Sequence, residues 1–137
     1  MKYEDLTYKI IGCAMNVHNE LGNGFQEVIY QRCLALEFDE MNIMYGREVE
    51  QEIFYKRINV GTRRADFIVE GKVIVELKAL IRLEDVHLAQ IKNYLKAYNF
   101  EAGLLINFGA TKLEYKRIFR WKKCLNLDSQ DLPDISG

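Results

Sequence analysis

Asp66, Glu76 and Lys78 are the residues whose types and spacing invite chemistry. They lie in one stretch, Arg64 to Lys78, reading R-A-D-F-I-V-E-G-K-V-I-V-E-L-K. Two runs of β-branched and aromatic residues flank Glu70-Gly71-Lys72, the pattern of a β-hairpin with a three-residue loop. Glu76 and Lys78 are two apart, so they leave the same strand face. A register in which opposite positions sum to 142 pairs Asp66 with Glu76 and suits that odd-length loop. The same register sends Phe67, Val69, Val73, Val75 and Leu77 to an apolar face, and Asp66, Ile68, Ile74, Glu76 and Lys78 to the other. Two carboxylates on one face repel unless a cation joins them, and hard divalent ions such as Mg²⁺ take carboxylate oxygens. A metal so held can polarise a phosphate oxygen and lower the pKa of water. The spacing alone also fits an edge hairpin with a solvated face, in which Glu76 and Lys78 form a weak surface pair. On the metal reading, Asp66→Ala relieves carboxylate repulsion and raises the stability of the metal-free protein.

The elements that must position these residues follow from periodicity. Leu6, Ile10, Cys13, Ala14, Val17 and Leu21 predict a helix over residues 5 to 21, ended by Gly22-Asn23-Gly24. His18 lies near its C-terminal end, where capping or packing is a sufficient role. A second helix is predicted from about Phe25 to Met41, with Val28, Leu34, Leu36, Phe38 and Met41 as apolar surface. Glu27 and Tyr30 share a face, and an acid in the first turn is favoured by the helix dipole alone. Strands are predicted over residues 47 to 55, 58 to 69 and 73 to 78. A helix over residues 84 to 99 follows, with Leu88, Ile91, Leu95 and Tyr98 on its apolar stripe and His87, Gln90 and Tyr94 on a polar-aromatic line. Residues 102 to 107 read as a buried strand entered by a parallel crossover, and Leu113 to Trp121 as a last strand or helix, with strand favoured.

The chain of 137 residues is 49% hydrophobic, enough for one folded domain, expected over residues 1 to 126, with a disordered acidic tail over 127 to 137. No apolar run reaches the ~20 residues that cross a bilayer, and the N-terminus has no signal-peptide core, so a cytoplasmic protein without membrane contact is expected. Cys13, Cys33 and Cys124 are scattered, which excludes a disulfide framework, a zinc ribbon and a four-cysteine iron–sulfur cluster in one chain. His18 and His87 lack metal-ligand spacing, so a zinc hydrolase is disfavoured. The net charge of −1 gives no global pull on nucleic acid. The segment Lys112 to Lys123 is locally basic, and Lys112, Lys116, Arg117 and Arg120 are candidates for phosphate contact.

Asp66, nine residues, then Glu76-Leu77-Lys78 resembles the D-x(n)-E-x-K core of the PD-(D/E)XK nuclease superfamily. Gly24-Phe25-Gln26-Glu27-Val28-Ile29-Tyr30 matches G-x-x-E-x-x-Y. V-H-x-E-L-G-x-G precedes it, H-x-A-Q-I-x-x-Y-L follows the hairpin, and G-L-L-I-N-F comes near the end. This ordered series, over roughly residues 5 to 120, resembles the GxxExxY proteins, a branch of that superfamily. The family often has Pro where this chain has Asn23. The resemblance implies an α/β fold: a mixed four- to five-stranded sheet with helices on both faces and the site at the exposed end of the hairpin. It implies that Asp66 and Glu76 ligate Mg²⁺ or Mn²⁺, with the Leu77 carbonyl, Glu27 and His18 as further ligands, and that Lys78 is the catalytic lysine. Gln90 and Tyr94 resemble the Q-x-x-x-Y element of the RecB-like exonuclease branch, which contacts substrate or the lysine. The implied activity is hydrolysis of single- or double-stranded DNA. The competing class is an adaptor that keeps the nuclease fold and binds nucleic acid or protein without turnover. Neither oligomeric state nor the choice of DNA over RNA is fixed by these residues.

Overall fold

The computed structural model describes residues 3–120. The element order is α1 (Glu4–Leu21), α2 (Glu27–Glu40), β1 (Tyr45–Tyr55), β2 (Ile58–Val69), β3 (Val73–Lys78), α3 (Asp85–Tyr98), β4 (Ala102–Asn107) and β5 (Glu114–Phe119). Every element anticipated from periodicity is present within a few residues of its expected ends. The acidic tail expected over residues 127 to 137, together with Lys122, Lys123 and Cys124, lies outside the described residues.

The five strands form one mixed sheet in the order β1-β2-β3-β4-β5. β3 and β4 pair in parallel, and all other neighbours are antiparallel. The parallel pair requires a crossover, which α3 supplies. α1 and α2 cover one face, where Ile10, Ala14, Tyr30, Leu34 and Phe38 bury against Phe67, Val69, Val75, Leu104 and Ile106. α3 covers the other, where Ile91 and Leu95 bury against Ala65, Ile74, Leu105 and Ile118. A Cβ on Gly103 would meet Leu95 Cδ2 at 3.0 Å and Ile91 Cδ1 at 3.1 Å, so this glycine lets α3 approach the sheet closely. The buried stripe of α2 is Tyr30, Gln31, Leu34, Ala35 and Phe38. Val28, Leu36 and Met41, expected to contribute, are exposed. Helix rotation is set by which side chains reach the sheet, and the large rings Tyr30 and Phe38 win that choice.

The β2–β3 hairpin takes the expected register: Phe67 opposes Val75, Ile68 opposes Ile74, and Val69 opposes Val73, each pair summing to 142. Glu70 and Gly71 turn it with φ of 53° and 66°. The strand's alternation breaks one step further down. Phe67 and Val69 face α1 and α2. Ala65, an odd-numbered neighbour that should join them, lies in the α3 core beside Ile68 and Ile74. Asp66 therefore occupies an irregularity in β2. Its would-be partner on β1, Glu48, has a left-handed φ of 54°, and the β1–β2 pairs resume on either side at Arg47–Phe67 and Val49–Ala65.

Candidate active site

This irregularity turns the Asp66 carboxylate into the gap between β2 and β3 and towards α2. Oδ2 accepts the Leu77 backbone N–H at 2.8 Å, and Oδ1 accepts from Gln31 Nε2 at 2.9 Å. Gln31 is four residues after Glu27, so the two share a face of α2. Glu76 faces the other way. Its Oε1 and Oε2 accept from Arg63 Nη2 at 2.8 Å and Nη1 at 3.2 Å. The Arg63 guanidinium lies 3.8 Å from the centre of the Tyr94 ring on α3. Asp66 and Glu76 thus do not share one face as expected. They meet at the same end of the hairpin, one held from the α2 layer and the other from the α3 side.

The carboxyls still act on one another. Burial raises the Glu76 pKa from 4.5 to about 7, the Arg63 charge opposes that rise, and the Asp66 charge adds to it. Burial also raises Asp66, against the hydrogen bonds from Leu77 and Gln31 and the charges of Arg63 and Lys78. Glu27 keeps an exposed side-chain surface, yet local desolvation and the Asp66 charge push its carboxyl up. Lys78, half-buried at the end of β3, favours ionisation of Glu27, Asp66 and Glu76 alike. Lys78 is thus linked electrostatically to each of the three carboxyls.

Other anticipated residues are placed differently. His18 directs Nε2 to the Ala110 carbonyl at 3.0 Å, so that nitrogen carries its hydrogen and is committed to the loop after β4. His87 caps α3, with Nδ1 accepting the Glu84 N–H at 3.0 Å. Gln90 is exposed on α3, one turn before Tyr94. The basic segment is split by strand alternation. Arg117 sits over the Tyr8 ring at 4.4 Å, with Nη1 3.7 Å from Glu4. Arg120 donates to the Leu95 and Lys96 carbonyls at 3.3 Å and to Asn99 Oδ1 at 2.7 Å, closing the C-terminus of α3. Lys112 and Lys116 are exposed. Lys112 precedes Glu114, which opposes Asn107 at the site end of β4, whereas Arg120 follows Phe119, which opposes Ala102 at the far end. The four cations do not make one surface.

Tyr30, the last residue of the G-x-x-E-x-x-Y stretch, is a positioning residue. Its hydroxyl donates to the Gly22 carbonyl at 2.6 Å and accepts the Phe25 N–H at 3.2 Å, while its ring stacks on Phe108 at 4.6 Å. It fixes the loop that delivers Glu27. Fully buried Asn107 does the same for the segment after Lys78, bonding both the N–H and the carbonyl of Leu80 and also Glu114.

Among the described residues, no three acids, histidines or cysteines stand together as a ready-made metal cluster. The donor chemistry nevertheless suits a hard divalent cation: three carboxyls whose ionisation is resisted gain most from a dication beside them. Asp66 is already oriented, with one donor on each oxygen and a lone pair left on each. Glu76 has the right group, but Arg63 holds both of its oxygens.

An α/β sheet of this order, with an Asp at the break of one strand and E-x-K ending the next, defines a nuclease-like class of fold. Residues 4–118 match the family model described as the PD-(D/E)XK nuclease superfamily. The chain belongs to that superfamily. It is also similar in fold to the crystal structure of SSO0001, at 19% identity and a TM-score of 0.56. That match covers 89% of this chain, which spans 62% of the other. No curated protein matches. Among the described residues, no helix is long and apolar enough to cross a membrane.

Proposed function

We propose that this protein is a divalent-metal-dependent nuclease that hydrolyses phosphodiester bonds in DNA, single- or double-stranded, in the cytoplasm. It belongs on this reading to the GxxExxY branch, near the RecB-like exonucleases. The observation that supports the reading is Asp66 bonded to the Leu77 amide, between Glu76 and Lys78 in β3, and to Gln31, one turn after Glu27 on α2, in a chain that matches the nuclease superfamily over residues 4–118. Asp66 and Glu76, with the Leu77 carbonyl and Glu27, would hold Mg²⁺ or Mn²⁺. When bound, such an ion supplies a Lewis acid for the phosphate and makes an attacking water more acidic. Lys78 places a positive charge where negative charge develops on the phosphate. Asp66 is held against rotation by its two donors, and Tyr30 and Asn107 hold the loops on either side.

The test is cleavage of labelled linear and circular DNA, single- and double-stranded, with Mg²⁺ or Mn²⁺. The parent should cut in a metal-dependent way and Asp66→Ala should not. A second reading has its own support: both Glu76 oxygens are taken by Arg63, as suits a nuclease fold kept for binding. A parent that binds metal and DNA but cuts nothing would favour that adaptor.

A further inference from the structure

We propose that Arg63 is a built-in competitor for the divalent cation: its guanidinium occupies Glu76 and must leave before that carboxylate can ligate. The inference rests on the metal-site reading above and concerns a residue outside the D…E-x-K set.

Arg63 is held in place by three contacts, and Nη1 also donates to the Arg64 carbonyl. Its fork meets both Glu76 oxygens, at 2.8 and 3.2 Å, and its plane rests on Tyr94 at 3.8 Å. A planar, permanently charged guanidinium suits a bidentate carboxylate contact better than a lysine does. Glu76 is buried, so a charge there needs a partner, and the partner is either Arg63 or a metal. Two oxygens that accept a bidentate fork cannot also face a dication without bringing two cations together.

The same cluster holds a buried hydroxyl without a partner. Tyr98 Oη is buried without a hydrogen-bond partner, the one such side-chain N or O atom among the described residues. Tyr98 stacks on Tyr94, with ring centres 6.1 Å apart, and the Arg63 charge acts on its hydroxyl. Arg63 is thus a positioning residue whose guanidinium is shared among the Glu76 carboxylate, the Arg64 carbonyl and the Tyr94 ring. Its cost to metal binding is that of breaking a charge-assisted pair, on the order of tenfold in affinity or more.

The experiment is calorimetric titration of the full chain with MnCl₂ alone, at pH 7.5. Arg63→Gln, which removes the charge, should bind Mn²⁺ at least about tenfold more tightly than the parent. Arg63→Lys keeps the charge without the fork and should fall between. Tyr94→Leu removes only the ring beneath the guanidinium and should tighten Mn²⁺ by a smaller factor, about two- to fivefold, and it serves if Arg63→Gln does not fold. Arg63→Gln combined with Asp66→Ala should take up no Mn²⁺. A merely structural arginine would give equal or weaker binding on removal. Binding that is unchanged or weaker in both Arg63→Gln and Tyr94→Leu, with Asp66 still required, overturns the competitor and leaves the metal site standing. Mn²⁺ uptake that survives Asp66→Ala, or no uptake in any of these proteins, overturns the site reading and this inference with it.

Discussion

The Asp66 carboxylate accepts the Leu77 amide hydrogen at 2.8 Å, taking a bond that a main-chain carbonyl of β2 would otherwise receive. The strands separate there, and the side chain stands in for the missing rung. A residue suited to ligate metal is thus also a fastener of the sheet.

That dual use reverses the stability expected of Asp66→Ala. Carboxylate repulsion in the metal-free site argues for a gain. Against it, the substitution leaves the Leu77 N–H and the buried Gln31 amide without their acceptor. An unsatisfied buried donor costs roughly 1–3 kcal/mol, more than the relief of a repulsion that Lys78 and Arg63 already offset. Asp66→Ala should therefore melt below the parent without metal, by several degrees, and show none of the Mn²⁺-induced rise that the parent shows. Melting curves with and without Mn²⁺ check both points.

The hairpin, its register and its two acids were legible because alternation and loop length constrain them strongly. The shared face was not, because it assumed that alternation continues through Asp66. The break coincides with a left-handed φ at Glu48, on the neighbouring strand and 18 positions away. Arg63 went unnoticed for the same reason: only after the break does it fall on the Glu76 side. The doublet Arg63-Arg64 just before the Asp was the available signal. Gln31 was not singled out either, although its position at i+4 from Glu27 puts the two on one helix face. The split of the basic segment was not legible, because strand alternation sends Lys116 and Arg117 to opposite faces and the C-terminus of α3, which Arg120 closes, reaches β5 only in three dimensions.

Arg120 and Lys112 should therefore respond oppositely to substitution. Arg120→Ala removes the donor to two α3 carbonyls and to Asn99, and should lower stability by about 1–2 kcal/mol with little change in DNA affinity. Lys112→Glu should leave the melting temperature within about a degree or two. It should weaken DNA binding and reduce the salt slope by about one. Binding isotherms at several salt concentrations, beside thermal melts, separate the two.

Tyr30→Phe tests the loop that delivers Glu27. It keeps the stack on Phe108 and deletes the bridge from Gly22 to Phe25. The expected loss is about 1–2 kcal/mol of stability. If Glu27 contributes to the metal site, Mn²⁺ affinity should fall along with it. A full loss of stability with unchanged Mn²⁺ affinity would place Glu27 outside the metal's reach.

Lys78→Met should abolish cleavage, by about a hundredfold or more, because the lysine's charge is lost from the reacting phosphate. Its effect on metal should depend on pH. Lys78 lowers the pKa of Glu27, Asp66 and Glu76, so its removal raises all three and makes protons compete better with the ion. Mn²⁺ affinity should match or exceed the parent's at pH 8.5 and fall below it at pH 6.5. Titrations at the two values check the crossing.

The last prediction concerns the pH dependence of the metal-free fold. Glu76 has its pKa raised from 4.5 to about 7, chiefly by burial. A carboxyl whose folded pKa lies above its unfolded value binds its proton more tightly in the folded state. The stabilisation this brings is complete below the unfolded value, and it is lost as pH rises through the folded one. Asp66 and Glu27 are raised too and act in the same direction. The metal-free protein should therefore gain stability as pH falls from about 7 to 4.5, the interval between the raised and the ordinary value of Glu76. Mn²⁺ should reverse the slope, because ligation requires the deprotonated carboxylates and strengthens as pH rises. Arg63→Gln should steepen the metal-free slope, since the guanidinium, ahead of Lys78, opposes the rise of Glu76. Melting temperatures at half-unit steps of pH, with and without Mn²⁺, supply the comparison. A metal-free melting temperature that climbs with pH over this interval would mean that Glu76 is ionised throughout, with Arg63 outweighing burial.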